Sequence, residues 1–298
     1  MLSLHIDTGQ EMRGGQWQVL YLLRGLEARG HAARLLAPRR SELLQAAQAQ
    51  RLDARPLRWP SLLRALHRAD LIHAHDARAH TLGLPFGKPL IVSRRVAFPV
   101  RRGFPSRWKY QRASHFLAVS EFVRATLLEA GVEASRITVV HDGVPIPPPA
   151  GQAHRERVLA LDSDDPGKGK HILEKAAALA DVPIAFSKNL GRDLPQAALF
   201  VYISDSEGLG SAALLAMAHG VPVIASAVGG LPEIVEDGCT GLLTSNQPDE
   251  VARQIRRLLD DRPLALRLAA RARARVEQDF SVDRMVTETA RVYERMVL

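Results

Sequence analysis

Short apolar runs alternate with amphipathic stretches along the whole chain. Runs at 2–6, 33–36, 70–73, 89–93, 116–120 and 137–140 predict buried strands, and the 3.6-residue periodicity between them predicts helices at 16–29, 40–50, 61–67, 106–113 and 121–130. The second half repeats the pattern. Strands are predicted at 158–161, 182–186, 198–203 and 221–225, with a helix running to 180 and others at 212–218, 248–259, 263–279 and 281–296. Strand followed by helix, repeated, implies parallel doubly wound sheets with right-handed crossovers. The stretch Pro145-Ile-Pro-Pro-Pro149 reads as a stiff linker between the halves. The predicted class is α/β, with two Rossmann-like doubly wound domains at 1–149 and 150–280 and a final helical segment at 281–298.

Composition narrows the picture. At 298 residues, 46% of them hydrophobic, the chain can bury two cores. One cysteine, Cys239, excludes a disulfide framework and fits a reducing compartment. No apolar run of eighteen residues exists, and the first six residues lack a signal peptide's basic region. A cytoplasmic protein is therefore expected. The net charge of +8 is uneven: residues 1–150 hold 22 Lys/Arg against 11 Asp/Glu, and residues 151–298 hold 18 against 21. A basic first half suggests an anionic neighbour.

The densest chemistry lies from Glu207 to Gly241. An apolar run ends at Ile203, and Gly208 and Gly210 then let the backbone turn close to a ligand. Ser211 is the expected N-cap of an apolar helix ending at Gly220, and Val221-Pro-Val-Ile-Ala225 leads to Gly229-Gly230 and another helix. Two glycine turns, each feeding a helix N-terminus, suit phosphate oxygens. Glu207 puts a carboxylate at the mouth of the first.

This stretch resembles the donor-site signature of the retaining, nucleotide-sugar-dependent glycosyltransferases of family four. Their pattern is Glu-Gly-Phe-Gly, a second Glu eight residues after the first, then Gly-(Val/Ile)-Pro-Val and Gly-Gly-x-x-Glu. The second Glu position is Leu215 here. Ala118-Val-Ser-Glu-Phe-Val-Arg124 and Ile137-Thr-Val-Val-His-Asp-Gly-Val144 match further landmarks of that family. The resemblance implies facing Rossmann-like domains with a cleft between them (the GT-B type), with the last helix crossing back to the first domain. It also implies sugar transfer with retained configuration. By the same resemblance, Glu207 and the loop Gly208, Leu209, Gly210 and Ser211 hold the donor sugar, and Leu215 stands where the donor ribose is held. Lys168, with Lys170 beside it, faces the diphosphate, as does the Gly14-Gly15 turn. Only 39 residues separate Lys168 from Glu207, so the second domain is expected to be short.

His73-Ala-His75-Asp76 ends a strand, with both imidazoles on one face. Such a pair could hold a metal, but no Cys or further His is expected beside it, so no metal is expected and His75 is assigned to the ligand site. Arg95 falls near the position where the family carries a histidine that approaches the donor sugar. No cofactor is expected beyond the nucleotide-sugar substrate.

Residues 94–112 hold seven basic residues, no acid, and Phe98, Phe104, Trp108 and Tyr110. That mixture suits an anionic membrane surface or a phosphorylated glycolipid. The expected partners are a nucleotide-sugar donor, a glycolipid or glycan acceptor, and the inner face of the plasma membrane. Two alternatives compete: a non-catalytic relative that binds nucleotide or glycolipid, favoured by Leu215, and a nucleic-acid binder, favoured only by the basic segment.

Overall fold

The alternating pattern closes into two parallel sheets. The structure, a computed structural model, describes residues 1–98, 100, 103–148 and 156–297. Two compact units divide it: 1–143 with 282–298, and 144–281. The junction falls after Gly143 rather than at the 149/150 boundary expected from the proline run. Of that run, Pro149 lies outside the described residues.

Among the described residues, the first unit holds seven strands: β1 (Leu2–Ile6), β2 (Ala32–Ala37), β3 (Ala54–Pro56), β4 (Leu71–Ala74), β5 (Leu90–Arg94), β6 (His115–Ala118) and β7 (Ile137–Val139). Their order is β3-β2-β1-β4-β5-β6-β7, all parallel. Helices α1 (Gly14–Ala28), α2 (Glu42–Ala49), α3 (Trp59–Arg68), α4 (Ala77–Gly83), α5 (Phe104–Arg112) and α6 (Glu121–Glu129) connect them. The strand order reverses between β1 and β4, and ligands of such sheets bind outside the carboxyl ends of the strands at that switch point.

Among the described residues, the second unit has five parallel strands in the order β12-β11-β10-β8-β9. They are β8 (Arg157–Leu161), β9 (Ile184–Ser187), β10 (Ala197–Tyr202), β11 (Val223–Ser226) and β12 (Leu242–Thr244). The helices are α7 (Lys170–Ala180), α8 (Leu190–Asp193), α9 (Ser211–Ala218), α10 (Leu231–Ile234), α11 (Pro248–Asp260) and α12 (Arg262–Asp279). The sheet is thus the smaller of the two, as the short Lys168–Glu207 span implies.

The last helix, α13 (Val282–Val297), belongs to the first unit. Its Met285, Val286, Val292 and Tyr293 join Leu22 and Leu26 of α1 with Leu71, Ile91 and Leu117 of the strands in one core. An Arg29–Asp283 ion pair ties its start to the end of α1. The second core gathers Val158, Leu199, Val201 and Ile224 under Leu173 of α7 and Ile255 of α11.

Candidate active site

The second unit carries the Glu207 loop between β10 and α9. Gly210 sits at φ +108°, and a Cβ there would lie 2.5 Å from Leu231. No side chain caps α9, and Ser211 is its first residue rather than its N-cap. The cap expected at Ser211 fails because the left-handed turn falls one residue earlier, at Gly210. The second glycine turn also has a different task from the phosphate cradle expected of it. A Cβ on Gly229 would stand 2.0 Å from the Glu207 carbonyl oxygen, and one on Gly230 would stand 2.2 Å from that of Gly208. The Gly230 N–H donates to the Glu207 carbonyl at 3.0 Å. Gly229-Gly230 therefore braces the Glu207 loop backbone to backbone, and α10 behind it is only four residues long.

A third segment joins them. The 3₁₀ turn at Pro166–Lys168 follows β8, and the Asp205 N–H donates to the Gly167 carbonyl at 2.8 Å. This ties the Lys168 turn to the end of β10. Lys168 Nζ then donates to Glu207 Oε2 at 2.5 Å. The Tyr202 hydroxyl donates to the same oxygen at 2.7 Å, and Lys168 Nζ lies 3.2 Å from that hydroxyl. Burial and the neighbouring Glu207 carboxylate hold the Tyr202 phenol well above its usual range, so it stays protonated. The lysine and glutamate side chains are 21% and 17% exposed. A cation and a carboxylate therefore share one partly desolvated spot four residues before the start of α9, where charge is stabilised more than in water.

Lys170 is not part of this group. Its ammonium pairs with Asp162 at 3.0 Å, and its charge lies over the Phe186 ring. Leu215 is half-buried on α9 and offers no acceptor atom. In the sequence Tyr202 stands inside an apolar run that predicts only a strand.

In the first unit, residues gather at the carboxyl ends of β1, β4 and β5. The Arg95 Nε–H donates to Asp142 at 2.9 Å, and NH1 lies 3.4 Å from His75 Nδ1. Since guanidinium only donates, His75 Nδ1 accepts and its proton sits on Nε2. Nε2 lies 3.0 Å from His5 Nδ1, and His5 Nε2 lies 2.9 Å from the Ser3 hydroxyl. A one-way chain of donors thus runs from Arg95 through His75 and His5 to Ser3. Burial first, then the Arg95 charge, lowers His5 to about 3; burial also holds His73 and His75 far below the usual imidazole range. All three are neutral at pH 7.

The expectation that no further histidine lies near His73 and His75 is corrected here. Parallel pairing sets His5 of β1 beside His73 of β4, a neighbour that spacing along the chain hides. The three rings bring ligand atoms within 4.8 Å of one another. Their six ring nitrogens are nevertheless engaged, the His73 pair by Tyr293 and Ser93. A cation would have to displace that network.

Gly14 and Gly15 open α1, with Gly15 about 4.0 Å from the Arg95 side chain once a Cβ is drawn on it. Gln16 reaches back to the buried Asp7 carboxylate at 3.1 Å. Burial raises Asp7 above the usual range, against the lowering effect of the Gly9 N–H.

The basic-aromatic segment divides in two. Arg94, Arg95 and Lys109 turn inward: Arg94 bonds the Tyr110 hydroxyl at 3.0 Å, and Lys109 bonds Thr81 of α4 at 2.8 Å. Arg107, Arg112, Phe104 and Trp108 stay exposed, with the Arg112 guanidinium over the Trp108 ring at 4.6 Å. Pro99, Arg101 and Arg102 lie outside the described residues. On α3, Trp59 and Leu63 are 65% and 57% exposed beside exposed Arg58, Arg64 and Arg68. A right-handed crossover from β3 back to β4 puts α3 on the sheet face that also carries α5.

Residues 12–146 match the family model described as Glycosyltransferase Family 4, and residues 181–275 match Glycosyl transferases group 1. The D-inositol 3-phosphate glycosyltransferase of Streptomyces griseus is 38% identical over 130 residues, covering 41% of this chain and 27% of that protein. The matched stretch thus spans little more than a quarter of the curated relative's length. The crystal structure of HepE from Anabaena in complex with UDP and glucose superposes with a TM-score of 0.84 at 19% identity, over 98% of this chain and 99% of that one. The apo form of the lipopolysaccharide outer core galactosyltransferase WaaB gives 0.70 at 14% identity, over 99% of both chains. At these identities the structural likeness is one of fold.

Proposed function

The chain belongs to the family 4 and group 1 glycosyltransferases, and from that premise we propose that it transfers a sugar from a nucleotide-sugar donor to a glycolipid or polysaccharide-precursor acceptor, with retained configuration. The observation that carries this reading is the Lys168–Glu207–Tyr202 group at the start of α9. Glu207 accepts hydrogen bonds from sugar hydroxyls. Lys168 and the α9 N-terminus stabilise the diphosphate as it leaves. The bond from the anomeric carbon to the phosphate oxygen breaks, and the acceptor hydroxyl oxygen bonds to that carbon on the same face. The hydroxyl proton leaves with the diphosphate. The HepE structure holds UDP and glucose, which supports a sugar nucleotide as donor, and WaaB is a galactosyltransferase of the lipopolysaccharide outer core, which supports a bacterial surface glycolipid as acceptor.

The acceptor side of this reading rests on the first unit. Its switch point carries His75, Arg95 and Asp142, and its α3–α5 face carries exposed arginines and aromatics suited to an anionic leaflet. A melting-temperature panel of nucleotide sugars tests the donor half, since a ligand at 100 times its Kd adds about 2.7 kcal/mol to stability. Analysis of the product's anomeric configuration tests retention. Leu215 favours a second reading, a relative that binds the donor without transferring it. Donor stabilisation with neither transfer nor hydrolysis would support that one.

A further inference from the structure

Glu207 offers two oxygens, and the structure uses them unequally. Oε2 takes both protein donors, the Tyr202 hydroxyl and the Lys168 ammonium. Oε1 has no hydrogen bond among the described residues. Tyr202 is 5% exposed, and its ring is fixed on β10 by stacking at 6.0 Å on Phe200. Its hydroxyl therefore cannot wander, whereas the Lys168 ammonium ends a flexible four-carbon stem. A diphosphate arriving at Lys168 competes with Glu207 for the same ammonium. Whatever part of the lysine is drawn away, the phenol stays.

We propose that Tyr202 is a positioning residue for the donor sugar: it holds the Glu207 carboxylate by Oε2, so that Oε1 keeps facing the sugar hydroxyls while Lys168 turns to the diphosphate. The proposal rests on the donor-site reading above. Both donors anchor the carboxylate by the same oxygen, and with Lys168 drawn to the diphosphate only Tyr202 still anchors it. The tyrosine thus touches no substrate and acts through Glu207. It also separates two recognition tasks: diphosphate capture by the mobile cation, and sugar reading by the immobilised carboxylate.

The test compares a nucleoside diphosphate with its hexose conjugate, using whichever pair from a UDP, GDP, ADP and dTDP panel the wild-type full-length protein binds most tightly. Tyr202→Phe removes one oxygen and keeps the stacked ring. It should leave nucleoside diphosphate affinity within about twofold of wild type, and weaken the sugar nucleotide about tenfold. In a Glu207→Ala background, adding Tyr202→Phe should cause no further loss, because nothing remains to be held. A purely structural tyrosine would weaken both ligands together and add its effect in the double variant; that result overturns the proposal. Sugar-nucleotide binding that Tyr202→Phe leaves unchanged overturns it as well. If the wild type binds no member of the panel, the donor-site reading itself falls and this role falls with it.

Discussion

Lys168 and Glu207 are 39 residues apart in the chain, and their charged atoms meet at 2.5 Å. The pair forms because the Gly167 carbonyl holds the Asp205 N–H, closing the turn after β8 onto the end of β10. Lys168→Ala should therefore act on phosphate. We expect nucleoside diphosphate affinity to fall about tenfold more than nucleoside affinity, the scale of one charge-assisted hydrogen bond. Calorimetric titration of both ligands decides it, and equal losses would remove Lys168 from the site.

Glu207→Gln keeps the shape and one acceptor oxygen but discards the charge. The sugar hydroxyls lose their strongest acceptor, and Lys168 loses its counter-charge. Transfer should drop at least a hundredfold, while the melting temperature moves by only a few degrees. Turnover at the wild-type rate would mean that the carboxylate is not part of the machinery.

The donor loop was legible in the sequence because its demands are local. Gly208, Gly210 and the apolar run after Ser211 specify a turn into a buried helix without help from distant residues. What distant backbone imposes was not legible. Gly229-Gly230 reads as a phosphate turn until the Glu207 carbonyl is found where its Cβ would be. His5 reads as one more strand residue until β1 pairs with β4. β3 went unpredicted because Ala54-Arg-Pro56 is a three-residue edge with no alternating pattern. α4 is hidden in the sequence because its cap, Asp76, accepting from the Arg78 and Ala79 N–H groups, reads as the end of a histidine motif. β12 and α8, of three and four residues, are too short for periodicity to show.

Arg95 and Asp142 form a pair whose side chains are 15% and 10% exposed. Arg95→Met leaves the Asp142 carboxylate in a poorly hydrated place without its cation. Removing one partner of a buried pair costs about 3–5 kcal/mol. Arg95→Met with Asp142→Leu should recover much of that loss, since neither member of the ion pair then remains without the other. Urea unfolding of the three proteins gives the answer. A double variant no more stable than Arg95→Met would show that the charge pairing is not the source of the loss.

The buried imidazoles make stability sensitive to acid. His5 and His80 are lowered to about 3 and His115 to about 4, with burial as the first cause in each, and His73 and His75 are lowered as well. Their folded values lie below the free value of about 6.5, so the unfolded chain binds more protons between the two. Stability is therefore fully present above about pH 6.5 and falls as the pH drops toward the folded values. His5, fully buried, alone contributes a loss of about 2 kcal/mol between pH 7 and 5, and the other lowered imidazoles act in the same direction. Unfolding curves across that range should show a steep decline, and a flat profile would contradict neutral burial of the cluster.

The α3–α5 face supports a prediction about membranes. Phe104 and Trp108 are 83% and 43% exposed, next to exposed Arg107 and Arg112; Trp59 and Leu63 on α3 are exposed beside Arg58, Arg64 and Arg68. Each basic residue near an anionic leaflet is worth about 1 kcal/mol, so four acting together hold a protein reversibly, and inserted aromatics add apolar burial. Binding to anionic vesicles and not to zwitterionic ones is expected, weakened by salt because the attraction is screened. Lys109 is the wrong residue to change, since its ammonium secures α5 to α4 through Thr81. Changing Arg64, Arg68, Arg107 and Arg112 to Ser removes exposed charge and, at Arg112, the contact over the Trp108 ring. That variant should stay folded, keep its donor affinity and leave the vesicles. Co-sedimentation with both vesicle types measures this, and equal binding to both, or retention of the variant, would turn the reading toward a soluble acceptor.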